Sequence, residues 1–365
     1  VSLPPLGSRL NHPEMPPPEA STALARFGIS GEKIRTEPLT QGLINDAFKV
    51  FVEGHPRYVL QRINTEVFKA PGLLMENILQ LLPLLEAQDY TGLRLQPTIQ
   101  GDPYLVDEVL GTWRLFKYIP NSLTVEHTRN PDMAREAGRI LGRFHQLVLP
   151  ANVSDLHIHM AGFHDLNIRL MQLEEALETG IPERIETAGP LTELARGLQP
   201  VCREIPLARL PKRICHNDTK LSNFLFDQTT CRALCLIDLD TLMPGVLLYD
   251  IGDVSYDLIR PDESLRSQED TMGIDLGMLE AFLLGLKDSD LRIAKKELDW
   301  LPHGPVLMPF LHGIRALTDY LTGDRYYRVS FPGQNLQRAS GLLHFAKSTS
   351  ENLPELGRLC GKILG

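Results

Sequence analysis

Two apolar segments, each breaking off into a polar loop, constrain this chain more than any other feature. The first ends at Ile214-Cys215 and opens into His216-Asn217-Asp218-Thr219-Lys220-Leu221-Ser222-Asn223. The second, Arg232 to Ile237, runs into Asp238-Leu239-Asp240. A lone Asp or Asn in a loop is usually a turn or cap residue. Here Asp218 and Asn223 stand five residues apart on one loop, and Asp238 follows fifteen residues after Asn223. A buried strand that ends in an acid delivers its carboxylate at the strand end, where a hard cation can be held. The fold must therefore bring two strand ends together.

The 365 residues suffice for two packed cores or one large two-part unit. With 43% hydrophobic and 23% charged residues, the composition is that of a globular chain and excludes disorder for the bulk of it. A formal charge of −9 gives no general attraction to nucleic acid, so no nucleic-acid partner is expected. No stretch approaches the roughly 20 apolar residues of a membrane span, and the start has no secretory pattern. The five cysteines, Cys202, Cys215, Cys231, Cys235 and Cys360, lack paired metal-site spacing and read as buried free thiols, with Cys231 and Cys235 in a strand. A cytoplasmic protein is the expectation.

Residues 1–20 are rich in proline and predict a disordered lead-in. Residues 21–120 alternate short strands and turns around one helix. Ile44 to Val52 and Arg57 to Ile63 make a hairpin across Glu53-Gly54-His55-Pro56, a helix follows from Gly72 to Glu86, and strands cover Tyr104 to Val109 and Thr112 to Tyr118. Residues 121–365 turn helical. Ala137, Ile140, Leu141, Phe144 and Val148 recur at helical spacing before Pro150, and helices fill Asp165 to Leu198 and the part beyond Asp250. The expected class is α+β: a protein-kinase-like two-lobed fold with a small antiparallel-sheet lobe and a larger, mainly helical lobe, joined near Lys117 to Pro120.

The loop His216-x-Asp218-x-x-x-x-Asn223 has the spacing of a kinase catalytic loop. In that reading Asp218 accepts the proton of an attacking hydroxyl, Asn223 holds a metal through its side-chain oxygen, His216 braces the loop and Lys220 neutralises the phosphoryl group. Asp238 is the second metal ligand, and Asp240, two residues on in an extended strand, faces the same side as a candidate substrate-binding residue. Asp250, in YDIGD, caps a helix and ties down the loop. On the nucleotide side the candidates are Gly42 and Asn45 in a phosphate-covering turn, Gln61 and Arg62 on the following strand, Glu76 on the helix and Lys117 at the hinge. Gln61 and Arg62 point to opposite faces, Arg62 has Glu76 as a candidate partner, and no lysine stands on that strand. On the acceptor side Leu307, Ile314, Leu317 and Leu321 form a buried stripe. Arg315 and Asp319, four apart, read equally as a surface ion pair or, for Arg315, as an acceptor ligand with Tyr326 beside it.

The segments HNDTKLSNFLFD and IDLDTLMPGVLLYDIGD resemble the aminoglycoside phosphotransferase and choline kinase superfamily, and within it the N-acetylhexosamine 1-kinases. YVLQRINTEVF, WRLFKYI and RALTDYLTGDRY are similar to segments of that group, so the likeness spans residues 40–335. It implies ATP- and Mg2+-dependent phosphorylation of the anomeric hydroxyl of an amino sugar. Asp218 would be the base and Asn223 and Asp238 the metal ligands, with Gln61 towards the cleft. Leu43 departs from the group, which carries a polar histidine there, so choline, an aminoglycoside or another sugar remain alternative acceptors. A non-catalytic nucleotide-binding chain is a further alternative, and protein partners are unknown.

Overall fold

The computed structural model describes residues 18–39, 44–260, 274–327 and 329–365. The chain divides into two compact units, the first ending at Ser122 and the second running from Leu123 to Gly365.

In the first unit, helix α1 (Pro18–Arg26) begins inside the stretch expected as lead-in, of which residues 1–17 lie outside the described residues. Proline at its first position, Glu19 in the first turn and buried Ala20, Ala23 and Leu24 at helical spacing explain why it forms. Strands β1 (Ile34–Pro38), β2 (Asp46–Val52), β3 (His55–Arg62), β4 (Leu105–Asp107) and β5 (Gly111–Lys117) build an antiparallel sheet of order β1-β2-β3-β5-β4. Glu53 (φ 52°) and Gly54 (φ 82°) are both left-handed, as a two-residue hairpin turn between twisted strands requires. One face, with Phe48, Val50, Leu60, Trp113 and Leu115, is packed against α1. On the other, Arg114, cross-strand partner of Gln61, reaches Met75 of helix α2 (Pro71–Leu81).

The two-residue strand β6 (Ser122–Leu123) falls on the boundary, and the second unit continues from it. Its helices are α3 (Pro131–Leu147), α4 (Leu166–Thr179), α5 (Pro182–Thr187), α6 (Gly189–Glu204), α7 (Leu247–Ile259), α8 (Leu276–Asp288), α9 (Lys295–Trp300), α10 (Gly304–Leu321), α11 (Gln334–Glu351) and α12 (Leu353–Leu364). Asn130 and Asp165 cap α3 and α4 by accepting first-turn N–H groups. The expected stripe is real: Leu307, Ile314, Leu317 and Leu321 of α10 are fully buried, in one core with Leu173 of α4, Leu198 of α6 and Leu343 of α11. Helix α3 meets α8 so closely that a Cβ on Gly138 would lie 2.0 Å from the Phe282 carbonyl, and one on Gly285 1.7 Å from that of Arg135. Only glycine permits such an approach.

Short strands punctuate this helical body. β7 (Arg213–Cys215) pairs antiparallel with β10 (Met243–Gly245), and β8 (Phe224–Asp227) with β9 (Ala233–Leu236). Arg213 is fixed by a two-pronged ion pair to Glu297, 2.6 and 2.7 Å, with the Glu297 side chain 1% exposed. Four cysteines are buried free thiols. Cys231 is half-buried, and at φ 58° it sits in the turn before β9 rather than in the strand.

Candidate active site

The two strand ends do converge. The His216 Nε2–H donates to the Ile237 carbonyl at 2.9 Å, and the Thr241 hydroxyl donates to the His216 carbonyl at 2.7 Å. The Ile237 N–H returns to the Asn223 carbonyl at 2.9 Å, which sets Asp238 beside Asn223. Asn217, left-handed at φ 63°, spans the loops with its side-chain amide, donating to the carbonyls of Cys215, Thr241 and Met243.

Helix α7 carries acids at i, i+3 and i+7 on one face, and the first and last of them clamp this loop. The Asp250 carboxylate accepts the N–H groups of His216 and Asn217 at 2.9 and 2.7 Å, and its carbonyl accepts the Thr219 hydroxyl. Asp257 accepts the Leu221 N–H at 2.8 Å. Between them, Asp253 Oδ1 accepts from His312 Nε2 at 2.9 Å. Burial pushes the Asp257 carboxyl up to about 7, against the pull of the Leu221 N–H and Arg260. Asp250 is wholly buried, and its Oδ2 also lies 3.0 Å from the buried His145 ring nitrogen, out of line for a hydrogen bond.

Within the clamp, Asp218 Oδ2 accepts from Lys220 Nζ at 3.0 Å and from Asn223 Nδ2 at 2.9 Å. Burial alone would raise the Asp218 carboxyl, but the Lys220 ammonium, His216 and His312 outweigh it and hold the group below its ordinary value. Burial pulls Lys220 the other way, and Asp218, Asp238 and Asp253 overcome it, so its ammonium is secured. Because the Asn223 amide nitrogen is committed to Asp218, its Oδ1 is the ligand atom left for a cation. Asp238 departs from the expected extended strand. β9 stops at Leu236, Asp238 adopts the left-handed conformation at φ 60°, ψ 59°, and residues 239–241 turn in a 3-10 helix. Strand alternation therefore does not align Asp240 with Asp238. The Asp240 side chain is 2% exposed, and its carbonyl accepts from His159. A strained aspartate at a strand end is common at functional sites. A carboxylate beside an amide oxygen is a hard donor pair of the kind that holds magnesium together with phosphate oxygens.

A second wall stands near Asp218. The Arg315 guanidinium lies over the rings of Phe163, Tyr326 and Tyr327 at 5.1, 5.4 and 5.9 Å, and donates to the Tyr326 hydroxyl at 3.2 Å. Among the described residues no carboxylate pairs with Arg315. The expected surface pair with Asp319 is absent, because Asp319 is buried and accepts the N–H groups of Arg325, Tyr326 and Tyr327 instead. Burial lowers Arg315, but Tyr327, Tyr326 and Asp218 raise it further. Neighbouring Arg169 is lowered to about 10, by burial first and by Arg315 second. His164, next to Phe163, donates Nε2–H to the Asn217 carbonyl at 2.8 Å, and burial holds it neutral.

The model of the phosphotransferase enzyme family (APH) matches residues 35–280, well over half of the chain. The protein belongs to that family. Its fold is similar to that of a microcompartment-associated aminopropanol kinase, which is 16% identical, with 93% of this chain and 98% of that one covered and a TM-score of 0.66. A spectinomycin phosphotransferase solved with ADP and spectinomycin is 11% identical, covering 91% and 97%, with a TM-score of 0.59. A choline/ethanolamine kinase family protein from Mesorhizobium loti is 15% identical, covering 95% and 98%, with a TM-score of 0.56. The small antiparallel-sheet lobe and larger helical lobe are thus those of a kinase-like phosphotransferase.

In this phosphotransferase the candidates of the first unit do not gather as those of the second do. Gly42 and Leu43 lie outside the described residues. Asn45 Oδ1 accepts the Asn64 N–H at 2.9 Å, and Gln61 Oε1 accepts Arg114 Nε at 2.9 Å. Arg62 is on the opposite, α1-packed face, 5.7 Å from the Trp113 ring centroid, so it does not pair with Glu76, which is exposed on α2. Lys117 is exposed at the end of β5. Sequence reasoning missed Asp257, Phe163 and His164. The spacing of Asp250, Asp253 and Asp257 was the available signal for the acid face. Phe163 and His164 precede α4 with no spacing that ties them to the loop. No helix among the described residues is long and apolar enough to cross a membrane.

Proposed function

We propose that the chain is an ATP-dependent kinase that phosphorylates a hydroxyl of a small acceptor, and that this acceptor is an N-acetylhexosamine taking phosphate on its anomeric oxygen. The observation that carries the kinase reading is the bonded group Asp218, Lys220 and Asn223, held by Asp250. An ionised Asp218 orients the acceptor hydroxyl and takes its proton as the oxygen attacks phosphorus. Lys220 swings from Asp218 to the transferring phosphoryl group, whose charge is spread over its equatorial oxygens. Asn223 Oδ1 and the Asp238 carboxylate would hold Mg2+, which when bound neutralises phosphate charge. Asn45, Gln61 and the backbone around Lys117 are the nucleotide contacts proposed in the first unit.

Arg315 supports the amino-sugar acceptor. A guanidinium stacked on three rings, and paired with no carboxylate of the described residues, repels a quaternary ammonium and offers donors to hydroxyl or acetamide oxygens. A second reading, an amino alcohol, draws on Asp253, an acid near Lys220 that could take an ammonium, and on the likeness to an aminopropanol kinase.

The test is acceptor-dependent ADP release with ATP and Mg2+, using N-acetylglucosamine, N-acetylgalactosamine, glucose, choline and 1-amino-2-propanol beside an Asp218→Asn control. Turnover with the N-acetyl sugars that is lost in the control is expected. Turnover with choline or aminopropanol alone would move the acceptor to the second reading, and none with any acceptor would sink the kinase reading.

A further inference from the structure

We propose that His312, held by Asp253, binds a second hydroxyl of the acceptor beside the one that Asp218 orients, so that the enzyme selects polyhydroxy acceptors over mono-alcohols. The inference rests on the kinase reading above and narrows its substrate class.

His312 and Arg315 are three apart on α10 and share a helix face. The His312 ring lies 6.0 Å from that of His164, His164 lies 4.3 Å from Phe163, and Phe163 carries the Arg315 guanidinium. One continuous wall thus runs from Arg315 to His312. Asp253 stands on α7 between the two acids that clamp the catalytic loop, which brings His312 alongside Asp218.

The pair is asymmetric in a way that indicates use. A carboxylate only accepts, so the His312 Nε2–H donates to Asp253 Oδ1, and in the neutral ring Nδ1 then carries the lone pair. The His312 side chain is 24% exposed and can be reached by a ligand, whereas that of Asp253 is 8% exposed. The second carboxylate oxygen of Asp253 is buried and has no hydrogen-bond partner. A pair serving only to join two helices would not be expected to leave a buried carboxylate oxygen unsatisfied. Its hydrogen bond from His312 fixes the tautomer and the ring, as a carboxylate does for a ligating or catalytic histidine. In this arrangement His312 touches the acceptor, and Asp253 is a positioning residue.

The experiment measures kcat and KM for N-acetylglucosamine and its 3-deoxy, 4-deoxy and 6-deoxy analogues. It compares the wild type with His312→Ala, His312→Gln and Asp253→Asn, with AMP-PNP binding as the check of folding. In the wild type one deoxy analogue is expected to lose about 10- to 100-fold in kcat/KM, mostly through KM. His312→Ala should show that loss with the parent sugar and then be indifferent to the same deletion. His312→Gln, which keeps a hydrogen-bonding side chain, should recover part of it, and Asp253→Asn should fall between. Equal losses for every analogue in wild type and variants would overturn the inference while leaving the kinase reading intact. So would faster turnover of choline or 1-amino-2-propanol than of the sugar. A wild type that binds AMP-PNP and phosphorylates nothing would sink both. Should His312→Ala fail to fold, the wild-type analogue series and the Gln and Asn variants decide.

Discussion

The loop around Asp218 and the wall around Arg315 in the second unit are held in place by different forces. In the loop, main-chain groups are tied to charged or amide side chains: three N–H groups to Asp250 and Asp257, and three carbonyls to Asn217. In the wall, Asp319 ties the N–H groups of the Tyr326 turn in the same way, but the Arg315 side chain itself is held by stacking on three rings and one hydrogen bond of 3.2 Å. Hydrogen bonds to main chain fix position and angle closely, while ring stacking tolerates sliding and tilt. A reaction centre needs the first kind of support and a recognition surface can use the second.

The contrast can be broken at its strong end first. Asp218→Asn should lower kcat by about 10²- to 10⁴-fold with nucleotide binding unchanged. A single-turnover rate within tenfold of wild type would move the base elsewhere. Asp250→Ala strands two buried N–H groups, each worth about 1–3 kcal/mol, so a loss of about 2–6 kcal/mol in chemical denaturation is expected. The matching change in the wall, Asp319→Ala, frees N–H groups of a loop that water can reach, and about 1–3 kcal/mol is expected with a rise in KM. Equal destabilisation by the two changes would erase the distinction between loop and wall. Arg315→Lys keeps the charge and loses the stack, and should raise the acceptor KM by about 3- to 30-fold with little change in kcat; a fall in kcat alone would make Arg315 part of the chemistry.

The smallest effect concerns pH. Asp257 is raised from 3.8 to about 7 in the folded chain. Between those values the folded state keeps a proton that the unfolded chain has released, so the stabilisation present at low pH is lost as pH rises through 7. Asp257→Asn should remove that slope. Melting temperatures at about pH 5 and about pH 7.5 read it directly, and parallel slopes in both proteins would show that Asp257 titrates normally.

The loop was legible because its chemistry is local. Asp218, Lys220 and Asn223 lie within six residues, and the apolar strands before the loop and before Asp238 are visible as such. The wall was legible only in part. Arg315 and Tyr326 could be named, but Phe163 meets Arg315, and His164 and Asp253 meet His312, through the packing of α4 and α7 against α10, which no spacing along the chain encodes. Asp240 shows the limit of period-two reasoning. Alternation holds only while the backbone stays extended, and the left-handed Asp238 ends it. Helix α1 was lost to its own prolines, since Pro18 at a first helical position starts a helix whereas a proline-rich lead-in would have none.

The glycine contact between α3 and α8 has a consequence for how such a chain can vary. Selection of a random-substitution library for activity should return almost nothing at Asp218, the proposed base. It should return equally little at Gly138 and Gly285, because even one added methyl group would drive α3 off the helix beside it. A depleted position in such a screen marks a place where atoms have no room as readily as one where they do chemistry, and in this protein the two kinds sit on a single connected scaffold.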